Sequence, residues 1–263
     1  MIRKNKIINI KANNKAQVTI FIIFGLILVV LIALIILVQK PVTTTTKLDA
    51  ENPSQYIQAC TRDSLDEVLD LIIPQGGFVD PEFYKLYEDK RVIYLCYINQ
   101  AYKTCVMQHP SYINDIKTEI KNYIEPKVRD CFAKLSDNLE KKNYVVNDNL
   151  GNINVELGFK TVQVNIDKQF YISKNNVQEK YDRFEVKVIN PIYDLALIAQ
   201  EIANQEAKYC NFEYVGYMAL HPEIEIGKFQ TSDGVKIYKI KEKASDIQLN
   251  IAIKSCYYPP GLG

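Results

Sequence analysis

Six cysteines, two histidines and a handful of carboxylate pairs are the residues of this 263-residue chain whose types and spacing could do chemistry. Cys60, Cys96, Cys105, Cys131, Cys210 and Cys256 are even in number, and all of them follow the one long apolar run, Val18 to Val38. An even set confined to the part beyond such a run reads as disulfides formed in an oxidising compartment. Zinc is the alternative use of thiolates, but there is no C-x-x-C, and Cys105 with His109 offers only two ligands on one helix face. A Ser-His-Asp triad would have to use His109 or His221. Both precede a proline, which favours extended or turn backbone, and no G-x-S-x-G accompanies them. Glu223 with Glu225 and Glu201 with Glu206 are the carboxylate pairs an acid–base hydrolase would draw on, and all four read as members of solvated faces. Asp137, Asp148 and Asp233 lack the spacing of a calcium loop, and Gly76-Gly77 lacks that of a phosphate loop. No catalytic, cofactor-binding or metal-binding residue is assigned.

The elements that position the cysteines begin with the apolar run. Val18 to Val38 carries no charge and, at about 1.5 Å per residue, is long enough to cross roughly 30 Å of hydrocarbon. Arg3, Lys4, Lys6, Lys11 and Lys15 precede it without an acidic residue among them, which places the N-terminus in the cytoplasm and the rest outside. The run exceeds a secretory leader's apolar core and no A-x-A-type site follows Val38, so it reads as a retained single-pass anchor. The expected organisation is a cytoplasmic basic leader at 1–16, a transmembrane helix at 17–39 and a threonine-rich stalk at 40–51. A mainly helical subdomain at 52–142 and an antiparallel sheet subdomain with one helix at 143–263 follow. Net charge is +1, with 32 basic and 31 acidic residues, so no nucleic-acid partner is indicated. The partners implied are the lipid bilayer and either a second copy or another surface protein. Gly25 and Ala33 give only a weak dimerisation signal within the anchor.

Asn52-Pro53, Asp80-Pro81 and Asn190-Pro191 each pair a capping residue with a first-turn proline, a helix-start signal. A helix from Pro53 carries Ile57, Cys60, Leu65, Val68, Leu69 and Ile72 at helical spacing and stops at Pro74, before Gln75-Gly76-Gly77. PEFYKLYEDK, from Pro81, reads as a short helix, and VIYLCYI, from Val92, as a buried strand that turns at Asn99-Gln100. That hairpin sets Cys96 opposite Cys105. A long helix from Ser111 carries Ile113, Ile116, Ile120, Ile124, Val128, Phe132 and Leu135 on one face, with Cys131 beside them and a bend expected at Pro126. Packing this face on the first helix brings Cys131 towards Cys60, and Cys210 with Cys256 is the pair left over; other connectivities stay open. Beyond Lys142 the period becomes two: Ile153, Val155, Leu157 and Phe159; Val162, Val164 and Ile166; Phe184, Val186 and Val188; Val235 and Ile237; Ile247, Leu249, Ile251 and Ile253. Such alternation means antiparallel strands with one wet face, interrupted by a helix from Pro191 to Lys208. The fold class is α+β. Among 18 tyrosines, Tyr214, Tyr217, Tyr257 and Tyr258 are candidates for a contact surface.

Lys15-Ala16 followed by Gln17-Val18-Thr19 resembles the class III signal of archaeal prepilins. The resemblance implies a cut between Ala16 and Gln17 by a membrane peptidase, and Phe21 stands where many of those helices carry a glutamate. The chain is also similar to single-pass surface proteins of small-genome archaea that begin with QVTIF-type helices. In these a helix with a cysteine precedes a Gln-Gly-Gly turn, as in Cys60 to Gly77, and a later helix carries a second cysteine, as in Ile120 to Cys131. That second resemblance implies the Cys60–Cys131 pairing and a compartment, but no reaction. The expected function is a non-catalytic, membrane-anchored surface protein with a structural, adhesion or cell-contact role. The alternatives are a pilin-like filament subunit and an exported hydrolase or ligand-binding protein, the last requiring His221, Glu223 and Glu225 to converge.

Overall fold

A computed structural model describes residues 23–31, 52–149 and 151–257. The chain divides into two compact units, Met1–Lys47 and Leu48–Gly263. In the first, residues 23–31 form a helix, α1, whose side chains are all exposed. Among the described residues no helix is long and apolar enough to cross a membrane, and the remainder of the expected span at 17–39 lies outside them. So do the basic leader, Ala16, Gln17 and the whole of the stalk.

The second unit is α+β, with packed helices, two sheets and three disulfides. α2 (Pro53–Ile72) begins as its sequence dictates: the Asn52 side-chain oxygen accepts from Gln55 N at 3.1 Å, and Pro53 occupies the first turn. α3 (Tyr112–Lys141) runs unbroken through Pro126, and its apolar stripe packs on that of α2. Cys60 and Cys131 join the two helices with 6.3 Å between their α-carbons. A short 3₁₀ turn at Ile73–Gln75 ends α2, and Gly76 follows in the left-handed region at φ 80°. A β-carbon on Gly76 would lie 2.4 Å from Ile93 Cγ2 and 2.7 Å from the Asn250 carbonyl oxygen, so both backbone angle and space demand glycine. Gly76→Ala should therefore lower the unfolding free energy by about 2 to 3 kcal/mol, read as a lower midpoint in urea at unchanged slope.

Residues 81–90 correct the expectation of a helix. β1 (Tyr84–Tyr87) and β2 (Lys90–Tyr97) form a hairpin whose register pairs Tyr87 with Lys90. Its two-residue loop, Glu88-Asp89, has positive φ at both positions, 49° and 58°. Asp80, expected to cap a helix, instead pairs with Arg91. Here the closely spaced aromatics of 83–87 find a sheet to pack on, and tertiary packing overrides the local cap signal. β3 (Val106–Met107) pairs with the far end of β2, and Cys96 bonds to Cys105 at an α-carbon separation of 5.5 Å.

The strands make two sheets. β4 (Val145–Asp148), β5 (Asn152–Gly158), β6 (Thr161–Lys174) and β7 (Val177–Ile189) are antiparallel throughout; long β6 pairs with β7 along its length and with β5 and β4 in succession. The second sheet corrects the expectation of a purely antiparallel arrangement. It runs β1-β2-β10-β9-β8, with β8 (Ile224–Gln230), β9 (Lys236–Glu242) and β10 (Gln248–Lys254), and β10 lies parallel to β2. Both strands of that parallel pair are buried on two faces, which is why VIYLC has no alternation. The pair also ties the expected helical part to the expected sheet part within one compact unit.

α4 (Ile192–Tyr209) touches β2, β9 and β10 of one sheet and β5 and β6 of the other. Leu195, Ala196, Ile198, Ala199, Ile202 and Ala203 are buried, an apolar band too wide for a helix with a single buried face, and the alanines allow close approach. α5 (Tyr214–Leu220), not foreseen from the sequence, lies against β8, where Ile226 N donates to Met218 Sδ at 3.1 Å.

Candidate functional site

The β5–β6 turn, α4, the end of α5 and the margins of β8 and β9 enclose a groove of about 400 Å³. Phe159 and Lys160 form its turn side. Phe159 was expected to continue the inward set Ile153, Val155 and Leu157; the strand ends at Gly158 and releases it, so its ring is 74% exposed. Lys160 follows in the left-handed region at φ 51° and is held from two directions. Its backbone N donates to Asp194 Oδ2 at 2.8 Å, and its ammonium meets Glu242 Oε1 at 2.6 Å. Hydrogen bonding from Lys160 depresses the Glu242 carboxyl, and Glu242 in turn raises the lysine.

Leu197, Ile198 and Ile224 make the floor apolar, and Tyr217 and His221 form the facing wall. Their rings stack at 4.4 Å between centroids, 26° from parallel. His221 Nδ1 lies 3.6 Å from Glu223 Oε1, too long for a good hydrogen bond. Burial, followed by the charges of Glu201 and Glu223, raises the Tyr217 hydroxyl. His221 and Glu223 are therefore brought together, whereas Glu225 does not line the groove. Glu223 precedes the first residue of β8, so strand alternation does not bind it to the side of exposed Glu225, which pairs in register with Lys241. No serine, threonine or cysteine lines the groove. Two of its three carboxylates are bonded by Lys160, and the third, Glu223, lies 3.6 Å from His221 Nδ1 and acts on Lys160 and Tyr217 through its charge. The arrangement is suited to holding a ligand and offers no activated nucleophile.

The other sequence candidates lie elsewhere. His109 packs on Phe78 with Nδ1 3.1 Å from Asp115 Oδ2, and the Cys96–Cys105 bond consumes the thiol that would have joined it on a metal. Among the described residues no three His, Cys, Asp or Glu side chains gather where they could hold an ion. Glu201 is exposed and accepts from Gln205, but Glu206 corrects the expectation of a solvated carboxylate. Fully buried, it accepts from Lys236 Nζ at 2.6 Å and from the Tyr238 hydroxyl at 2.5 Å, with Lys228 Nζ at 3.8 Å. Lys236 also donates to the Cys210 carbonyl at 2.6 Å, and Ser255 Oγ to the Glu206 carbonyl at 3.0 Å. This network sits beside the third disulfide, Cys210–Cys256, whose α-carbons are 5.6 Å apart. Burial and then Glu206 push the Tyr238 hydroxyl upward, so it stays a donor, and burial lowers Lys228 against the pull of Glu206.

A second surface lies over a small separate core of Val92, Tyr94, Val235, Ile237 and Ala252. Phe83, Tyr94 and Tyr97 contact one another with centroids 4.7 to 5.0 Å apart. Lys254 caps Tyr97 and Tyr257, and Lys239 caps Tyr87 and Phe229. Burial, with smaller contributions from Asp233 and Tyr97, raises the Tyr94 hydroxyl to about 12. Of the tyrosines singled out in the sequence, Tyr257 belongs to this surface, Tyr214 and Tyr217 to α5, and Tyr258 lies outside the described residues. No protein family, curated protein or solved structure with which the chain was compared matches it.

Proposed function

We propose that the protein is a membrane-anchored surface protein whose exported, disulfide-stapled domain has a non-catalytic contact role. The observation that carries the contact role is the aromatic surface over the second core. Phe83 and Phe229 are large, rigid and exposed, and lysines frame their neighbours, an amphipathic surface of the kind enriched at protein interfaces. The disulfides and the basic-flanked apolar run at Val18 to Val38 support an exported, membrane-anchored domain. Lys15 to Thr19, which resembles an archaeal prepilin signal, is part of the same proposal.

The test uses full-length protein and envelopes isolated from the source cells. Saturable co-sedimentation with the envelopes is expected, weakened severalfold by Phe83→Ser with Phe229→Ser at unchanged thermal midpoint. Absence of saturable association, or identical association by the double variant, contradicts the contact role. N-terminal sequencing of the native chain separates the filament alternative: a start at Gln17 favours it, and a start at Met1 removes it.

A further inference from the structure

We infer that the groove between Phe159 and Tyr217 is a binding site for a small organic cation, an ammonium or guanidinium group carried on an apolar body. This inference is independent of the aromatic contact surface, which lies on other residues. Size sets the first limit: about 400 Å³ accommodates a compact organic molecule, with Leu197, Ile198 and Ile224 as an apolar floor. Charge sets the sign. Asp194, Glu223 and Glu242 line the groove against the single ammonium of Lys160, so an anionic guest would meet an excess of like charge.

The hydrogen bonding then locates the cation. Lys160 satisfies Asp194 through its backbone N and Glu242 through its side chain, which fixes those two acids in the wall. Glu223 is different. Its side chain is 57% exposed at the groove, approaches His221 Nδ1 at 3.6 Å, and acts through its charge on Lys160, whose ammonium is bonded to Glu242. A guest ammonium would give this carboxylate a short charge-assisted hydrogen bond. Tyr217 stacked on His221 supplies one aromatic wall beside it, and Phe159, with Lys160 5.8 Å from its ring centre, supplies a second that already faces a cation. Aromatic faces attract a cation, and a carboxylate lining the same groove adds a charge-assisted hydrogen bond, a combination suited to an alkylammonium group. The exposure of Phe159 also gains a reason: its ring stands over the groove instead of continuing the buried face of β5.

Isothermal titration of the purified full-length protein tests the site, with phenethylammonium as the cation and phenylacetate as its anionic counterpart. Saturable one-to-one binding of phenethylammonium is expected, with phenylacetate at least about tenfold weaker. Glu223→Gln and Phe159→Ala should each weaken phenethylammonium by roughly tenfold, whereas Phe229→Ala, on the other surface, should leave it unchanged. Glu223 and Phe159 are both exposed, and equal thermal midpoints would show that their variants fold. A companion titration with acetyl-phenylalanyl-lysine amide separates two sources of one chemistry: tighter binding than phenethylammonium assigns the groove to a basic peptide side chain, and weaker binding assigns it to a free amine. Equal affinity for cation and anion, no saturation by phenethylammonium up to about 10 mM, or an unaffected Glu223→Gln variant overturns the assignment.

Discussion

Glu206→Ala should cost the domain about 3 to 5 kcal/mol of unfolding free energy, the range for breaking a buried ion pair by removing one member. Glu206 and Lys236 meet at 2.6 Å inside the protein, and the carboxylate is wholly inaccessible. Removing it leaves the lysine ammonium with only the Cys210 carbonyl and the Tyr238 hydroxyl without its acceptor. An unpaired charge and an unsatisfied donor in one low-dielectric site add to the cavity left by the side chain. The joint replacement of Glu206 by Leu and Lys236 by Met separates pairing from packing. Since neither member of the Glu206–Lys236 pair is then left alone, much of the loss should be recovered, the remainder reflecting the Tyr238 hydroxyl without its acceptor and Lys228 without its neighbour. Lys236→Met alone should remain strongly destabilised. Urea unfolding of the parent protein, Glu206→Leu, Lys236→Met and the joint variant measures the cycle, with Glu206→Ala beside it. Equal loss in the double variant and in Glu206→Ala would mean that the network contributes through shape and not through charge.

The second large effect concerns the bond between α2 and α3. Cys60 and Cys131 are 71 residues apart, and closing a loop of that length restricts the unfolded chain by about 4 kcal/mol on the loop-entropy account. Replacing both cysteines with serine should therefore lower stability by about that amount, with the folded helix pair retained at low temperature. Replacing Cys96 and Cys105, only 9 residues apart, should cost less by more than 1 kcal/mol. The order of the two losses is the informative quantity, because it depends on loop length and not on the chemistry common to both bonds. A larger loss from the short-loop pair would place the origin in the folded hairpin instead.

Much of the fold is readable in local signals. Asn52-Pro53 and the 3.6-residue stripe give α2, the stripe from Ile116 to Leu135 gives α3, and period-two alternation gives β5, β6, β7, β9 and β10. Cys96 and Cys105 are placed together by the turn between them. What escapes the sequence depends on distant partners. The Pro81 segment has a cap signal that its sheet neighbours override, and the parallel β2–β10 pair joins residues more than 150 positions apart. Glu206 did leave a signal: it falls four residues after Ile202 and seven after Ala199, on the stripe of α4 that faces the core. A carboxylate on an apolar stripe needs a buried cation, and Lys236 on the alternating strand β9 is that cation.

The groove was half legible. His221 and Glu223 stand two residues apart and could be named together, but their partners Phe159, Lys160, Asp194 and Glu242 come from three other elements. Phe159 looked like one more inward member of an alternating strand, and only the end of β5 at Gly158 shows why it is not. Nothing in the local pattern marks Asp194 as the acceptor for a backbone N–H 34 residues away.

In the proposed role an oxidised domain is carried outside the membrane by a retained apolar helix. Intact-mass spectrometry of the native protein, extracted from membranes and alkylated without reduction, tests it most directly. The expected chain keeps Val18 to Val38, takes up no alkyl groups, and takes up six after reduction. Alkylation before reduction, or a chain that begins beyond Lys40, would contradict it.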